Sequence, residues 1–399
     1  MIEIKPNIQH QSNCPYCQTA LKPINVRFMG MHGIVESKCI ECQAELLESL
    51  RVSHAVHKPY QIDFSKGALF GHEISPVGLA THLFKSLQNP ENEDINISKE
   101  IFKSCQRAII LNCIDYLYGH CLLKLLNAQK HLDYDSEYGL IVIVPKFMRW
   151  MVPEGVAEIW TVPIPLKKSR CYYSKLEQFV SEELKRFDEV YISKAYSHPS
   201  HFDITRFTGV QKHSFEQEKI KITYIWREDR PWCSMGLLRT LRKFKLLQLG
   251  LVIQNWRVAR LFEIIRAQLP DAKFVVTGLG KQTKFPVWIE DLRVDKFDKE
   301  TEREMCQLYS ESRLVIGIHG SNMLLPSGHA GMTLDLMPER WGNIAQDILY
   351  QEPDPRLAAY RYRYLPFDTR MDQIADIAAS MILNYQYFYS QMMADRLFE

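Results

Sequence analysis

Two short apolar runs set close together constrain this chain more than any other feature. They are Arg313-Leu314-Val315-Ile316-Gly317-Ile318 and Met332-Thr333-Leu334-Asp335-Leu336-Met337. Each has the length and composition of a strand buried on both faces, as found in parallel sheets. Between them, His319-Gly320-Ser321-Asn322 reads as a tight turn and Met323-Leu324-Leu325 as the opening of a short helix, limited by Pro326 and Ser327-Gly328. A strand that runs into a small polar loop before a helix makes an anion site, because the backbone N–H groups there lack partners. His319 and Ser321 would add side-chain donors to it.

The same pattern recurs along the chain. Residues 107–112, 139–145, 158–162 and 189–192 read as one set of strands, with an amphipathic helix at 120–131. Residues 219–226 and 273–278 open a second set, with a strong helix at 255–269, an edge strand or base-binding loop at 287–294, and a closing apolar helix at 372–396. Strands alternating with helices imply parallel sheets, and ligands of such sheets bind beyond the carboxyl ends of the strands. Asp133-Tyr134-Asp135 reads as a loop, so no paired carboxylates suited to a divalent metal stand at a strand end. His198, His201 and Asp203 fall in a polar, aromatic loop after the fourth strand and are possible substrate contacts.

Near the start stand Cys14-Pro15-Tyr16-Cys17 and Cys39-Ile40-Glu41-Cys42, two C-x-x-C knuckles with 21 residues between them. Four thiolates at this spacing suit tetrahedral zinc; a redox pair or two disulfides are the alternative readings. So short a segment has too little core to fold without such a staple. Residues 45–51 suggest a helical turn. His54, His57, His72 and His82 lie scattered nearby without ligand spacing, and the polar stretch 88–94 reads as a boundary.

Val315 to Met323, followed by Leu334-Asp335-Leu336-Met337-Pro338, resembles the nucleotide-sugar loop of glycosyltransferase family 61. Ser321 stands where that family has Ala, and Asp335 where it has the longer Glu. The resemblance implies the GT-B fold: two Rossmann-like domains, here preceded by a small zinc ribbon. The expected division is a zinc-ribbon-like module at 1–50, a connector at 51–98, an acceptor domain at 99–215, a nucleotide-sugar domain at 216–371, and a helix at 372–399 crossing back to the first half. The resemblance further implies an inverting, metal-independent transfer from a nucleotide-diphosphate sugar to a hydroxyl of a saccharide or protein acceptor, as in polysaccharide biosynthesis. Asp115 and His120, after the first strand, would be the general bases, although His120 is equally placed to cap or pack its helix. Arg227 and Arg230, after the strand at 219–226, would offset the leaving diphosphate with Lys281 and the loop His319, Gly320, Ser321 and Asn322. Asp335 or Glu339 would hold ribose hydroxyls.

Net charge narrows the alternatives. The chain carries 49 basic and 47 acidic residues, a net +2, which excludes nucleic-acid binding through a broadly basic surface. No run is long and apolar enough to span a bilayer, and MIEIKPNIQH lacks a signal-peptide core, so a cytoplasmic protein is expected. The competing reading is a non-enzymatic zinc-ribbon adaptor on a degenerate α/β scaffold. Both readings include the metal. Protein purified without chelators is therefore expected to carry about one tightly held zinc per chain. Elemental analysis finding none, or Cys14 and Cys17 joined as a disulfide in the native protein, overturns the assignment.

Overall fold

The computed structural model describes the chain except residues 92–93, 197–198, 200–201, 218, 282, 339–351, 353 and 394–399. The chain divides into two compact units, Met1–Phe202 and Asp203–Glu399, each with its own apolar core.

The first unit opens with β1 (Ile2–Lys5). Five antiparallel strands follow as a meander: β2 (Leu21–Met29), β3 (His32–Cys39), β4 (Glu45–Ser49), β5 (Tyr60–Asp63) and β6 (Ala68–Gly71). Next come β7 (Ser98–Ile101), β8 (Arg107–Asn112), β9 (Gly139–Pro145), β10 (Glu158–Val162) and β11 (Glu189–Ile192). With β1 they form a six-stranded sheet ordered β1-β11-β8-β9-β10-β7. Strands β8 to β11 run parallel, and every residue of β9 and β10 is buried, which is why β9 is an unbroken apolar run and β10 is apolar but for Glu158 and Thr161. The antiparallel edges β1 and β7 are more polar, and the mostly exposed Ser98, Lys99 and Glu100 suit an edge facing water.

Several local expectations change. The helical turn expected at 45–51 is the strand β4. Leu46 joins Cys14, Leu21, Cys39 and Ala44 in a small cluster on one side, and the backbone pairs with β3. Residues 51–98, expected as a connector, carry β5, β6 and the helix Leu79–Gln88. The antiparallel sheet does not stand alone: Phe28, Ile34 and Ile62 share one core with Ile110, Ile141 and Trp160. The boundary expected at 88–94 is tied down at Glu91, which bridges to Tyr173. The helix expected at 120–131 is two, Tyr118–Leu126 and Ala128–Tyr134. Asn127 breaks it, donating from Nδ2 to the carbonyls of Leu123 and Lys124 at 3.0 Å each and of Tyr196 at 2.8 Å. Asp133 and Tyr134, expected in a loop, lie in the last turn of the second helix.

The second unit holds β12 (Lys221–Trp226), β13 (Lys273–Leu279), β14 (Ile289–Val294), β15 (Leu314–Ile318), β16 (Met332–Met337) and β17 (Tyr362–Pro366). All pair in parallel, in the order β14-β13-β12-β15-β16-β17. Counted from β12 this is 3-2-1-4-5-6, the doubly wound order. The stretch 287–294 supplies the edge strand β14 rather than a loop, and β17 closes the opposite edge. The long helix Leu247–Gln268 packs against Met371–Leu383. The closing helix expected at 372–396 is two, Met371–Leu383 and Tyr385–Met393. Its apolar face, expected to return to the first half, buries Ile374, Ala375 and Ala378 in the second unit's own core beside Val258, Leu261 and Phe262. No helix among the described residues is long and apolar enough to cross a membrane.

This packing makes the second unit depend on its last helices. Ile374→Ala, at a fully buried position, is expected to cost about 2–5 kcal/mol in urea unfolding. Tyr387→Ala, at a position 69% exposed, should stay within about 0.5 kcal/mol. Equal costs would show that this face is not part of the core.

Candidate functional site

In a parallel sheet the crevice for ligands opens where the strand order reverses. In the second unit that point lies between the neighbours β12 and β15. The loop after β12 brings Arg227, Glu228, Asp229 and Arg230, and the turn after β15 brings His319, Gly320, Ser321 and Asn322. The two segments clasp each other. Arg227 donates through Nη1 to Asn322 Oδ1 at 2.8 Å and to the His319 carbonyl at 3.4 Å, and Arg230 donates to the same carbonyl at 3.1 Å. Arg227 also forms a two-point fork with Asp229, at 2.8 and 2.6 Å. Burial would raise the Asp229 carboxyl, but the hydrogen bonds and charge of Arg227, with Arg230 behind them, hold it below its usual range.

Two glycines make this approach possible. Gly320 has φ +151°, and a Cβ there would meet Arg227 Nη1 at 2.6 Å. Gly280, after β13, has φ +112°, and a Cβ there would meet the Glu228 carboxylate at 2.1 Å. Three neighbouring strand ends therefore close on one another. Asn322 Nδ2 is buried without a partner among the described residues, a donor free for a ligand. Ser321 and Lys281 are exposed at the ends of β15 and β13. Glu339 lies outside the described residues, as do His198 and His201. Asp203 caps the helix Ile204–Thr208, its side chain accepting from the Thr205 N–H.

Asp335 departs from its expected place. It sits in mid-strand opposite Gly317 and is fully buried. Its Oδ2 lies 2.7 Å from His319 Nδ1 and accepts from the Tyr362 hydroxyl at 2.7 Å. A carboxylate so placed fixes the orientation of the imidazole ring through Nδ1. In this arrangement Asp335 orients His319 from inside the sheet.

The first unit shows the same logic. Counted from β8, its parallel strands run 4-1-2-3, so the order reverses between β8 and β11. Beyond β8 stands Asp115, fully buried. The ammonium of Lys124, also buried, lies 2.8 Å from its Oδ2, and His120 Nδ1 lies 3.2 Å from its Oδ1. His54 joins them, with Nε2 3.1 Å from His120 Nδ1 and 3.7 Å from Asp115 Oδ2. Burial alone would raise the Asp115 carboxyl; Lys124, then hydrogen bonds from His120 and His54, hold it well below the usual range. Nearby His32 is pushed down to about 3 by burial, then by the charge of Lys124, and stays neutral. Asp115 is thus a fixed anion, with the partly exposed His120 and His54 gathered against it. One ligand atom each from His54, Asp115 and His120 lies within 4.8 Å of the others, a cation-sized grouping, but Lys124 already supplies the compensating charge. Sequence reasoning left His54 among the scattered histidines and passed over Lys124; no local pattern marks either.

The four cysteines of the N-terminal knuckles also converge. Cys14 and Cys42 sulfurs lie 3.5 Å apart, Cys17 and Cys39 3.4 Å, and Cys17 and Cys42 3.7 Å. A tetrahedral zinc with bonds of about 2.3 Å needs sulfurs roughly 3.7 Å apart, so the set fits. The knuckles repeat one geometry: Gln18 N–H bonds the Cys14 carbonyl and Gln43 N–H the Cys39 carbonyl, with Gln18 and Gln43 at φ 64° and 59°. Two hydrogen bonds from Thr19 pull the Cys17 thiol down to about 6.

The buried pair in the first unit has a measurable consequence. Lys124→Met leaves the Asp115 carboxylate buried without its cation, at an expected cost of about 3–5 kcal/mol in urea unfolding. His120→Ala, at a partly exposed position, should cost no more than about 1 kcal/mol. Because the folded-state value of Asp115 is depressed, its contribution is complete above the unfolded carboxylate value and is lost as pH falls below it. Asp115→Asn protein should therefore lose stability less steeply than the parent below about pH 4.

The chain matches no protein-family model and no curated protein. Among solved structures it is similar to E. coli ADP-heptose lps heptosyltransferase II, at 10% identity and a TM-score of 0.41, covering 70% of this chain and 99% of that one. It is also similar to the GtfA/B complex, at 11% identity and a TM-score of 0.27, covering 91% of this chain and 74% of that one. At such TM-scores the likeness carries no argument, and the architecture rests on the strand orders above.

Proposed function

We propose that the chain is a glycosyltransferase with the GT-B arrangement of two Rossmann-like domains, moving a sugar from a nucleotide-diphosphate donor to a hydroxyl acceptor. The observation that carries the reading is the convergence of Arg227 and Arg230 on the His319–Asn322 turn at the switch point of the second sheet. A leaving diphosphate needs fixed positive charge where its own charge develops, and two guanidinium forks supply it without a catalytic metal. A donor phosphate would compete with Asp229 for Arg227 and meet the free amide of Asn322. His120, oriented by Asp115, would take the acceptor proton, which suits single-displacement inversion. The four cysteines would hold a structural zinc that staples β2 and β3 near their ends. A non-enzymatic adaptor has no need of two arginines closed on one turn.

Calorimetry with ADP, GDP and UDP tests this. At least one is expected to bind, and Arg227→Ala and Arg230→Ala should each weaken it about ten- to a hundredfold, the loss of a charged phosphate contact. Arg239→Ala should not. His120→Ala should abolish transfer while leaving nucleotide binding intact. Undiminished binding by both arginine variants, or no binding of any diphosphate by the parent, overturns the reading.

A further inference from the structure

The segment that follows the Arg227–Arg230 loop carries exposed cations and apolar side chains beyond those in the core and the candidate site. From Arg230 to Phe262 the sequence contains no Asp or Glu, against seven Lys and Arg. Four of the seven, Arg239, Arg242, Lys243 and Lys245, are exposed within one stretch. The segment folds as two packed helices, Met235–Lys243 and Leu247–Gln268, joined by a turn at Lys245, where φ is +59°. Large apolar side chains on it face outward. Phe244 is 61% exposed, Val252 and Trp256 are each 59% and Leu249 is 52%, with Leu237 and Leu246 beside them.

The long helix therefore has two apolar stripes. Leu251, Val258, Leu261 and Phe262 are buried in the core. Leu249, Val252 and Trp256, at helical spacing of three and four, are each more than half exposed. Exposed apolar patches of this kind in a soluble unit mark a docking face.

We infer that this face docks on an anionic lipid surface. Its make-up is that of an interfacial helix pair: cations for the phosphate headgroups, with Phe, Leu and Trp to enter the acyl boundary. The charge argues against a second copy of the chain, since two such faces would bring like charges together. A nucleic-acid backbone would use the cations but gives exposed Phe244, Leu249 and Trp256 nothing to pack on. The face also touches the candidate site, because Arg242 Nη2 donates to the Asp229 carbonyl at 2.6 Å. The inference stands apart from the transferase reading.

Vesicle flotation of the full chain tests it. Vesicles of equal parts phosphatidylglycerol and phosphatidylcholine should carry the protein at low salt, and vesicles of phosphatidylcholine alone should not. Replacing Lys243 and Lys245 together by Gln should weaken flotation roughly thirtyfold, from about one headgroup-scale charge interaction lost per residue. The double variant F244S/L249S should also lose flotation, with its thermal midpoint unchanged because both side chains are exposed. Failure of the parent to float, flotation by both double variants at the parent's level, or self-association through the face with no lipid binding would each overturn the inference. So would preferential capture by duplex DNA over anionic vesicles at equal salt.

Discussion

One guanidinium holds the second unit's site together. Arg227 reaches from the end of β12 to the turn after β15, and its fork is shared among Asp229, Asn322 and a main-chain carbonyl. Such a contact forms only if the two strands are neighbours, which the 3-2-1-4-5-6 order secures, and only if residue 320 has no Cβ. Sheet order, glycine and arginine are thus one device: the order brings two loops side by side, the glycine admits the side chain, and the side chain fixes both loops. A planar fork can meet three acceptors in one plane, whereas an ammonium on the same stem would act as a point charge without that geometry.

The first unit solves the matching problem with the opposite sign. Asp115 is a carboxylate inside the protein, tolerated because Lys124 is buried against it and because the lysine also donates to the Ile114 carbonyl at 2.8 Å. Removing two charges from water costs several kcal/mol each, which close pairing and added hydrogen bonds offset. A fixed anion of this kind sets the orientation of His120 and, through it, of His54. In both units an ionised side chain after the first strand of the sheet positions a histidine or a turn that faces outward.

What the sequence made legible follows from distance along the chain. Strands β9, β12, β15 and β16 were readable because burial on both faces leaves an apolar run that local composition displays. The cysteine knuckles were readable because the doubled C-x-x-C spacing is itself a local pattern. Leu46-Leu47 misled because two adjacent apolar residues in a short stretch fit a helical turn as well as a strand; β4 takes the second form since β3 offers its backbone a partner. The tie between His319 and Asp335 was hidden in the register, which sets Asp335 opposite Gly317 and so one strand away from the histidine. His54 reaches Asp115 only because the antiparallel sheet and the parallel sheet share a core, which no local pattern reports. Tyr362, on the edge strand β17, reaches Asp335 for the same kind of reason.

The position of β1 bears on how the protein is made. Ile2 pairs with Ile192, so this strand leaves the ribosome long before its partner exists. The meander from β2 to β6 is local and can close early, whereas β1 must wait until the whole parallel set has been synthesised. Meanwhile it is a short strand with Glu3 and Lys5 among its residues, charged enough to resist pairing with another chain. Its docking on β11, with Ile4 entering the shared core, can occur only once residue 192 has been synthesised.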